Sequence, residues 1–580
     1  MFRNFTNLEE LSLGAVNISS VLPTTLNISS SLKLLNLRLT RLQGKLPHSI
    51  FNLRSLEILD LSDNSFTGNI PSKISVNLTH LTSLRLSSNN LNGTLTSWLF
   101  TSPSLESLDL SYNMFSGNVP LESFRQLTNL TDMYLSFNNF SGEWELDTLL
   151  SSLTNLESLY LSYSGFSVTT NNANHYVNPG FRDLELASCH LKVFPKSFRA
   201  MKQLRSLDLS SNEIDGQIPH WEGEIGGTYG LGYVNLSHNF ITALPQFQWY
   251  GLAYLFLQSN LIEGPFPPSI CNMSTLYYLD MSHNFITALP QFQWYGLAYL
   301  FLQSNLIEGP FPPSICNMST LYYLDMSNNR FGGLIPECFG KLTASLEMID
   351  MGNNSFQGTI PNVYGDCGSL EGLSLNGNQL RGEVPSFLSN CSDLSVLDLG
   401  NNHLTGTFPS WLGDLSNLEA LVLKSNNFHG HIQPSSTVES PFPSLRVLDL
   451  SHNGFVGQLP AKYFESFNSM KNVAKNEPQL ESDAESGVTW EVVMLRYGCG
   501  TILGLVMGYL MLSTRKVKWF NAIADAGESL AEEFEEGWDL LNYAIEERGD
   551  VGTWMWNHNW IGDRLSHVIN HKTKLAKCNC

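Results

Sequence analysis

Apolar residues recur along most of this chain in short alternating bursts, not in the stripes of an amphipathic helix. Leu56-Glu-Ile-Leu59-Asp-Leu61-Ser-Asp-Asn64-Ser-Phe66-Thr-Gly68-Asn-Ile70-Pro71 returns as Leu105-Glu-Ser-Leu108-Asp-Leu110-Ser-Tyr-Asn113-Met-Phe115-Ser-Gly117-Asn-Val119-Pro120. The same frame is visible near Asn138, Asn212, Asn239, Asn329, Asn354, Asn378, Asn402, Asn426 and Asn453, and from Asn354 to Asn426 each step is 24 residues. Each unit predicts a short strand whose alternate Leu side chains point inward while the residues between them face solvent. No unit can bury its apolar side alone, so a period of this length means a solenoid with one shared core. The Asn at each strand end is placed to bond backbone groups where the chain turns. The Pro that ends the frame holds the residue before it extended. The ladder Leu and Asn residues are therefore scaffold, and the recurring Asp60, Asp109, Asp208 and Asp449 are assigned to it as well.

The Gly-x-Ile-Pro continuation, as in Gly358-Thr-Ile-Pro361 and Gly382-Glu-Val-Pro385, resembles the plant-type leucine-rich repeat over roughly Leu8 to Pro460. The resemblance implies an α/β leucine-rich-repeat solenoid, with short parallel strands lining a curved superhelix over residues 1–460. Val16, Thr40, Ser164 and Cys189 stand where the frame calls for Asn, and the step from Asn212 to Asn239 stretches to 27. Ser237 to Met281 recurs without a change at Ser282 to Met326, an offset of 45 residues. That block is two repeats long, so it keeps the solenoid in register; an unequal crossover and an assembly error would both produce it.

Outward strand positions carry Tyr134, Tyr160, Tyr233, Tyr254, Phe256, Tyr278, Tyr299, Phe301 and Tyr323. Strands favour aromatics in any setting, but exposed rings also offer large contact area at low entropic cost. These nine are the expected ligand-binding residues of the concave face.

A net charge of −21 with only 15% charged residues argues against nucleic acid as a partner and suits an extracellular solenoid. Acceptor motifs for N-glycosylation fall at Asn4, Asn17, Asn27, Asn77, Asn92, Asn129, Asn139, Asn235, Asn272, Asn317, Asn353 and Asn390. Nine cysteines leave at least one outside any internal pair. Cys338, Cys367 and Cys391 sit near repeat spacing, which allows a disulfide between neighbouring repeats.

Val492 to Leu512 is an apolar run interrupted only by Arg496, long enough to cross a bilayer. Arg515, Lys516 and Lys518 follow it, so the carboxyl side is expected in the cytoplasm and the repeats outside. Gly500, Gly504 and Gly508 line one face of that helix and allow a partner helix to approach closely. Residues 461–491 form a linker carrying Glu477, Glu481, Asp483, Glu485 and Glu491, and residues 513–580 form a tail. In the tail, His567, His571, Cys578 and Cys580 have no strong metal-site spacing, and the expectation there is an extension without a metal.

Repeats, acidic stretch, glycine-faced span and Ser513-Thr-Arg-Lys-Val-Lys-Trp-Phe520 together resemble plant receptor-like proteins, cell-surface receptors without a kinase domain. The resemblance implies a peptide or pathogen-derived ligand, a receptor kinase adaptor reached through the membrane helix, contact with membrane lipid, and a role in defence. No leader precedes Met1 and no cysteine-bearing cap precedes the first repeat, so a truncated or rearranged member is expected. Gly226-Gly-Thr-Tyr-Gly230-Leu-Gly232 lacks the strand–loop–helix frame of a nucleotide site, and no kinase element occurs. The expectation is a non-catalytic receptor with no cofactor. The alternatives are an inhibitor of a secreted cell-wall hydrolase, which needs no membrane span, and a non-functional relic.

Overall fold

A computed structural model describes residues 7–458 apart from 24–28, 73, 75–77, 173–175, 292–293, 295, 363–366 and 434–439, together with 460, 461, 463, 467 and 469. Residues 1–473 form one compact unit and 474–580 a second. The expected linker acids, membrane span with Gly500, Gly504 and Gly508, tail, and the acceptor sites Asn4, Asn27 and Asn77 lie outside the described residues. Among the described residues no helix is long and apolar enough to cross a membrane.

Three-residue strands from Glu10–Ser12 to Val447–Asp449 join side by side into one 19-stranded parallel sheet, each strand paired with its neighbours one repeat away. The middle residue of nearly every strand turns inward: Leu35, Leu59, Leu84, Leu108, Leu159, Leu207, Leu255, Leu300, Leu324 and Leu397 are all fully buried. Each such side chain contributes about 1.5–3 kcal/mol relative to exposure. A second set of strands on the flank groups into sheets of five, two, two, two and seven. Helix is scarce among the described residues; the longest α-helix is Leu146–Ser152, capped by the Glu145 carboxylate. This is closer to an all-strand solenoid than the α/β class expected, because most connections have room only for a single 3-10 turn.

The Asn ladder is longer than the sequence frame suggests. Asn89, Asn260, Asn284 and Asn305 belong to it beside the residues named above. At Asn329 the amide donates to Leu302 O at 2.8 Å, Met326 O at 3.2 Å and Ser327 O at 3.1 Å. Its side-chain oxygen accepts the Ile307 N–H at 3.1 Å. One side chain thus satisfies four buried backbone groups on two repeats. Where Asn is absent, substitutes take part of the set: the Thr40 hydroxyl donates to Leu37 O at 2.7 Å, and the Cys189 thiol lies 3.4 Å from Leu161 O. The residue just before the ladder Asn is left-handed in most repeats, for example Asp63, Tyr112, His238 and Asn353 at φ 51–55°. Within the flank strand Ser355–Thr359, Gly358 adopts φ +79°, a left-handed conformation that favours glycine.

The duplicated block contains two short repeats. Ladder residues Asn239 and Asn260 are only 21 apart, as are Asn284 and Asn305. The missing residues interrupt the flank sheet: Phe240–Ala243 pairs with Asp215–Gln217, and Phe285–Ala288 with Glu263–Pro265, but neither pairs onward. Of the cysteines at repeat spacing, Cys367 and Cys391 form a disulfide between neighbouring repeats, whereas Cys338 pairs back with Cys316.

Replacing Asn329 by Ala strands the buried Ile307 N–H and three carbonyls. A loss of about 1–3 kcal/mol is expected for each buried backbone group left unpaired, reduced where a carbonyl keeps another donor. Urea unfolding of Asn329→Ala should therefore show a clear drop in midpoint. Gln357→Ala, at an exposed position of the flank strand Ser355–Thr359, should change it little.

Candidate ligand-binding face

The outward face of the long sheet carries two rows of side chains set by strand register. In the first row Asp132, Ser158, Asp183, Ser206, Tyr233, Tyr254, Tyr278, Tyr299 and Tyr323 follow one another on adjacent strands. In the second, Tyr134, Tyr160, Glu185, Asp208, Asn235, Phe256, Asp280, Phe301 and Asp325 do the same. All nine predicted aromatics therefore lie on one face, as the alternation of strand residues requires.

Rings from the two rows interlock. Centroid distances run Tyr233–Phe256 5.5 Å, Phe256–Tyr278 4.8 Å, Tyr278–Phe301 5.3 Å and Phe301–Tyr323 4.8 Å. Tyr134 and Tyr160 form a separate edge-to-face pair at 4.7 Å. This packing corrects the expectation for two residues. Phe256 and Phe301 point outward but are 4% and 6% exposed, walled in by the tyrosines of neighbouring strands, so they form the floor and are not exposed anchors. The tyrosines of both rows are half-buried.

Of the exposed tyrosines that were not among the predicted residues, two adjoin this surface. Tyr277 and Tyr322, 39% and 44% exposed, stand at the edge where the strands begin. Tyr277 lies 5.9 Å from Tyr254 and 5.6 Å from Tyr299, so it extends the same aromatic surface. Along this edge backbone hydrogen bonds link Ala253, Tyr277, Ala298, Tyr322, Glu347 and Glu371 in order. The Tyr277-Tyr278 doublet was the available signal, but Tyr277 precedes the strand and falls outside a simple alternation.

Carboxylates flank the aromatic stretch. Glu185 lies across from Tyr160 and Asp208 in the sheet, and burial together with the charges of Asp208 and Asp183 pushes it up to about 8. Burial also raises Asp208, although Ser210 N–H at 2.8 Å and the Asn235 amide at 3.2 Å support its charged form. Asp183 is raised by burial against the opposing pull of Arg205 and Arg182. At the other end Glu371 is raised by burial and then by Glu347 and Asp393. Tyr299 is pushed up to about 12, first by burial and then by Tyr277 and Glu347. The surface is thus aromatic in the middle and flanked by carboxyl groups, of which Glu185 stays neutral to about pH 8.

Of the predicted glycosylation sites, Asn17, Asn92, Asn129, Asn139, Asn272, Asn317, Asn353 and Asn390 are exposed. Asn235 is not: it is 2% exposed, with its side chain bonded to Asp208 and Ser237, so the folded chain closes it to modification. A groove of about 380 Å³ opens on the flank beside the interrupted strands, lined by Leu244, Ile262, Phe266, Pro267, Leu289 and Pro290 among others. Among the described residues no group of three or more His, Cys, Asp or Glu side chains is arranged to hold a metal ion.

The Glu185 shift has a direct consequence for stability. The folded chain keeps this proton to about pH 8, whereas an unfolded Glu releases it near its ordinary 4.5, so the unfolded state binds fewer protons in between. The Glu185 contribution therefore falls as pH rises from about 4.5 to 8 and is level outside that window. Glu185→Gln should flatten this part of the stability–pH curve, raising the urea midpoint at pH 8 relative to the parent and leaving the comparison unchanged below pH 4.

Two leucine-rich-repeat family models match the chain. The "Leucine-rich repeat region" covers residues 2–218, and "Leucine rich repeat" covers 319–380 and 392–455. Receptor-like protein 53 of Arabidopsis thaliana is 32% identical over 328 residues, covering 56% of this chain and 28% of that protein. Receptor-like protein 35 of the same plant is 32% identical over 335 residues, covering 56% and 30%. The chain thus spans under a third of the length of these relatives. Among solved structures, the ectodomain of the Arabidopsis thaliana membrane receptor kinase GASSHO1/SCHENGEN3, in complex with Casparian strip integrity factor 2, superposes with TM-score 0.69 at 28% identity, covering 80% of this chain and 61% of that one. The plant peptide hormone receptor RGFR1, in complex with RGF2, gives TM-score 0.63 at 26% identity, covering 80% and 81%. The Arabidopsis receptor kinase HAESA, in complex with the peptide hormone IDA and the co-receptor SERK1, gives 0.53 at 26%, covering 79% and 85%. By its family-model matches and its fold the chain is a leucine-rich-repeat protein, and over its repeats it is similar to plant receptor-like proteins.

Proposed function

We propose that this chain is a cell-surface receptor that binds a peptide or protein ligand along the outward face between Tyr233 and Tyr323 and signals, in plant defence, through an associated receptor kinase. The observation that carries the reading is the continuous aromatic lane, with Tyr277 and Tyr322 projecting from it and carboxylates at both ends. Rigid tyrosines supply contact area with few rotors to freeze, which is the chemistry of binding hot spots. Peptide-bound structural neighbours support a peptide as the ligand, and the co-receptor held by HAESA supports a second protein in the signalling complex.

The extracellular placement of the repeats is supported by the two inter-repeat disulfides, which persist in oxidising compartments, and by eight exposed glycosylation motifs. Signalling without a kinase domain requires a partner across the membrane. In this reading Val492 to Leu512 spans the bilayer, and Gly500, Gly504 and Gly508 admit the helix of a receptor kinase.

Two measurements test it. The triple variant Tyr254→Ala, Tyr277→Ala, Tyr299→Ala, folded as judged by its circular dichroism, should bind ligand from an extracellular peptide fraction about 1–4 kcal/mol more weakly in total. Unchanged affinity would remove the lane as the binding surface. Gly504→Ile should lower co-purification with the receptor kinase while membrane insertion persists, and Gly504→Ala should do less harm. Equal recovery across the three would refute the glycine-face contact.

A further inference from the structure

The aromatic lane repeats itself in space. Because Ser282–Met326 copies Ser237–Met281, the strand edge reads Ala253, Tyr277, Ala298, Tyr322: small, large, small, large. Ala298 is fully buried, whereas Tyr277 and Tyr322 project. The edge therefore presents ridges and dips that recur every second strand. With strands about 4.8 Å apart, the spatial period is about 9.6 Å.

Few chain conformations match that period. A β-strand laid along the solenoid returns the same face every two residues, about 6.7 Å, and its third residue at about 10 Å faces the wrong way. An α-helix has a pitch of about 5.4 Å, and two turns overshoot at about 10.8 Å. A polyproline II helix advances about 3.1 Å per residue with three residues per turn, so it presents the same face every 9.3 Å or so. Aromatic-lined surfaces also suit such helices, whose ordering cost is already low.

Charge defines one end. Beyond Tyr322 the edge continues into Glu347 and Glu371, bonded through their backbones at 2.8 Å. Burial and the neighbouring carboxylates Glu347 and Asp393 act on Glu371 in one direction, with no cation among them. This end favours a positive charge on the ligand.

We infer that the ligand of this face is a proline-rich peptide in polyproline II conformation, running along the strand edge with an apolar residue at every third position over the two copies and a basic residue over Glu347 and Glu371. The inference rests on the proposed role of this face in binding a peptide and specifies which peptide it takes.

The test uses the full chain in detergent and three synthetic peptides of equal composition, each with leucine anchors in a proline-rich background and a lysine end. One places the leucines every third residue, one every second, and one is scrambled. The three-residue peptide should bind about tenfold or more tighter than either control, and Tyr277→Ala or Tyr322→Ala should erase the difference. Glu347→Lys with Glu371→Lys should weaken it and should favour a peptide with a glutamate end instead. Deleting Ser282–Met326 removes one full period without disturbing repeat register, so the shortest peptide giving full affinity should shorten by three residues. If the two-residue peptide wins and is sensitive to Tyr277→Ala, the polyproline inference falls while peptide binding at this face stands. If no peptide binds in a manner sensitive to Tyr277 and Tyr322, both fall.

Discussion

Everything in this molecule depends on pairing the backbone groups where each repeat turns. A three-residue strand exposes its neighbours' N–H and C=O groups to an apolar interior, and water cannot reach them there. The buried Asn of one repeat pairs groups on its own turn and on the preceding one, so the ladder is at once cap, clamp and spacer. With that requirement met, leucines can fill the space between turns and the strand register follows. Outward acids such as Asp208, Asp280 and Asp325 share that duty by accepting the N–H two residues on, while the outward aromatics do not and are left available for recognition.

The outward face is not a free canvas, however. Strands one repeat apart bring side chains within ring-contact distance, and large aromatics there pack on one another before they meet anything else. The chain thus has a layered surface: phenylalanines at Phe256 and Phe301 as floor, tyrosines half-sunk around them, and Tyr277 and Tyr322 standing clear. Acids near this surface share the same low-dielectric setting, which is why Glu185 holds its proton to about 8 without any catalytic task being implied.

Much of this was legible in the residues alone. The alternation of Leu with polar residues identified the strands, their inward faces and the solenoid, because burial imposes its period directly on sequence. It also assigned all nine aromatics to the correct face. It failed where the deciding neighbour lies a repeat away. Phe256 looks exposed until Tyr233 and Tyr278 flank it, and Asn235 looks modifiable until Asp208 and Ser237 hold it. Ladder members Asn260 and Asn305 escaped because their repeats are three residues short of the usual beat, and the Cys316–Cys338 bond spans 22 residues, off that beat.

The interrupted flank has a mechanical meaning. Behind the aromatic lane, Phe240–Ala243 and Phe285–Ala288 each fail to pair with the strand that follows, so at those two junctions a single flank hydrogen bond, from Leu261 to Ile241 and from Leu306 to Ile286, stands where neighbouring junctions have a ladder. A stack of repeats bends by opening or closing the gaps on its back while the strands in front stay paired. Two of the breaks in the back strands thus lie behind the face proposed to bind ligand. On either side of them the back of the stack is tied by continuous flank sheets of five and seven strands.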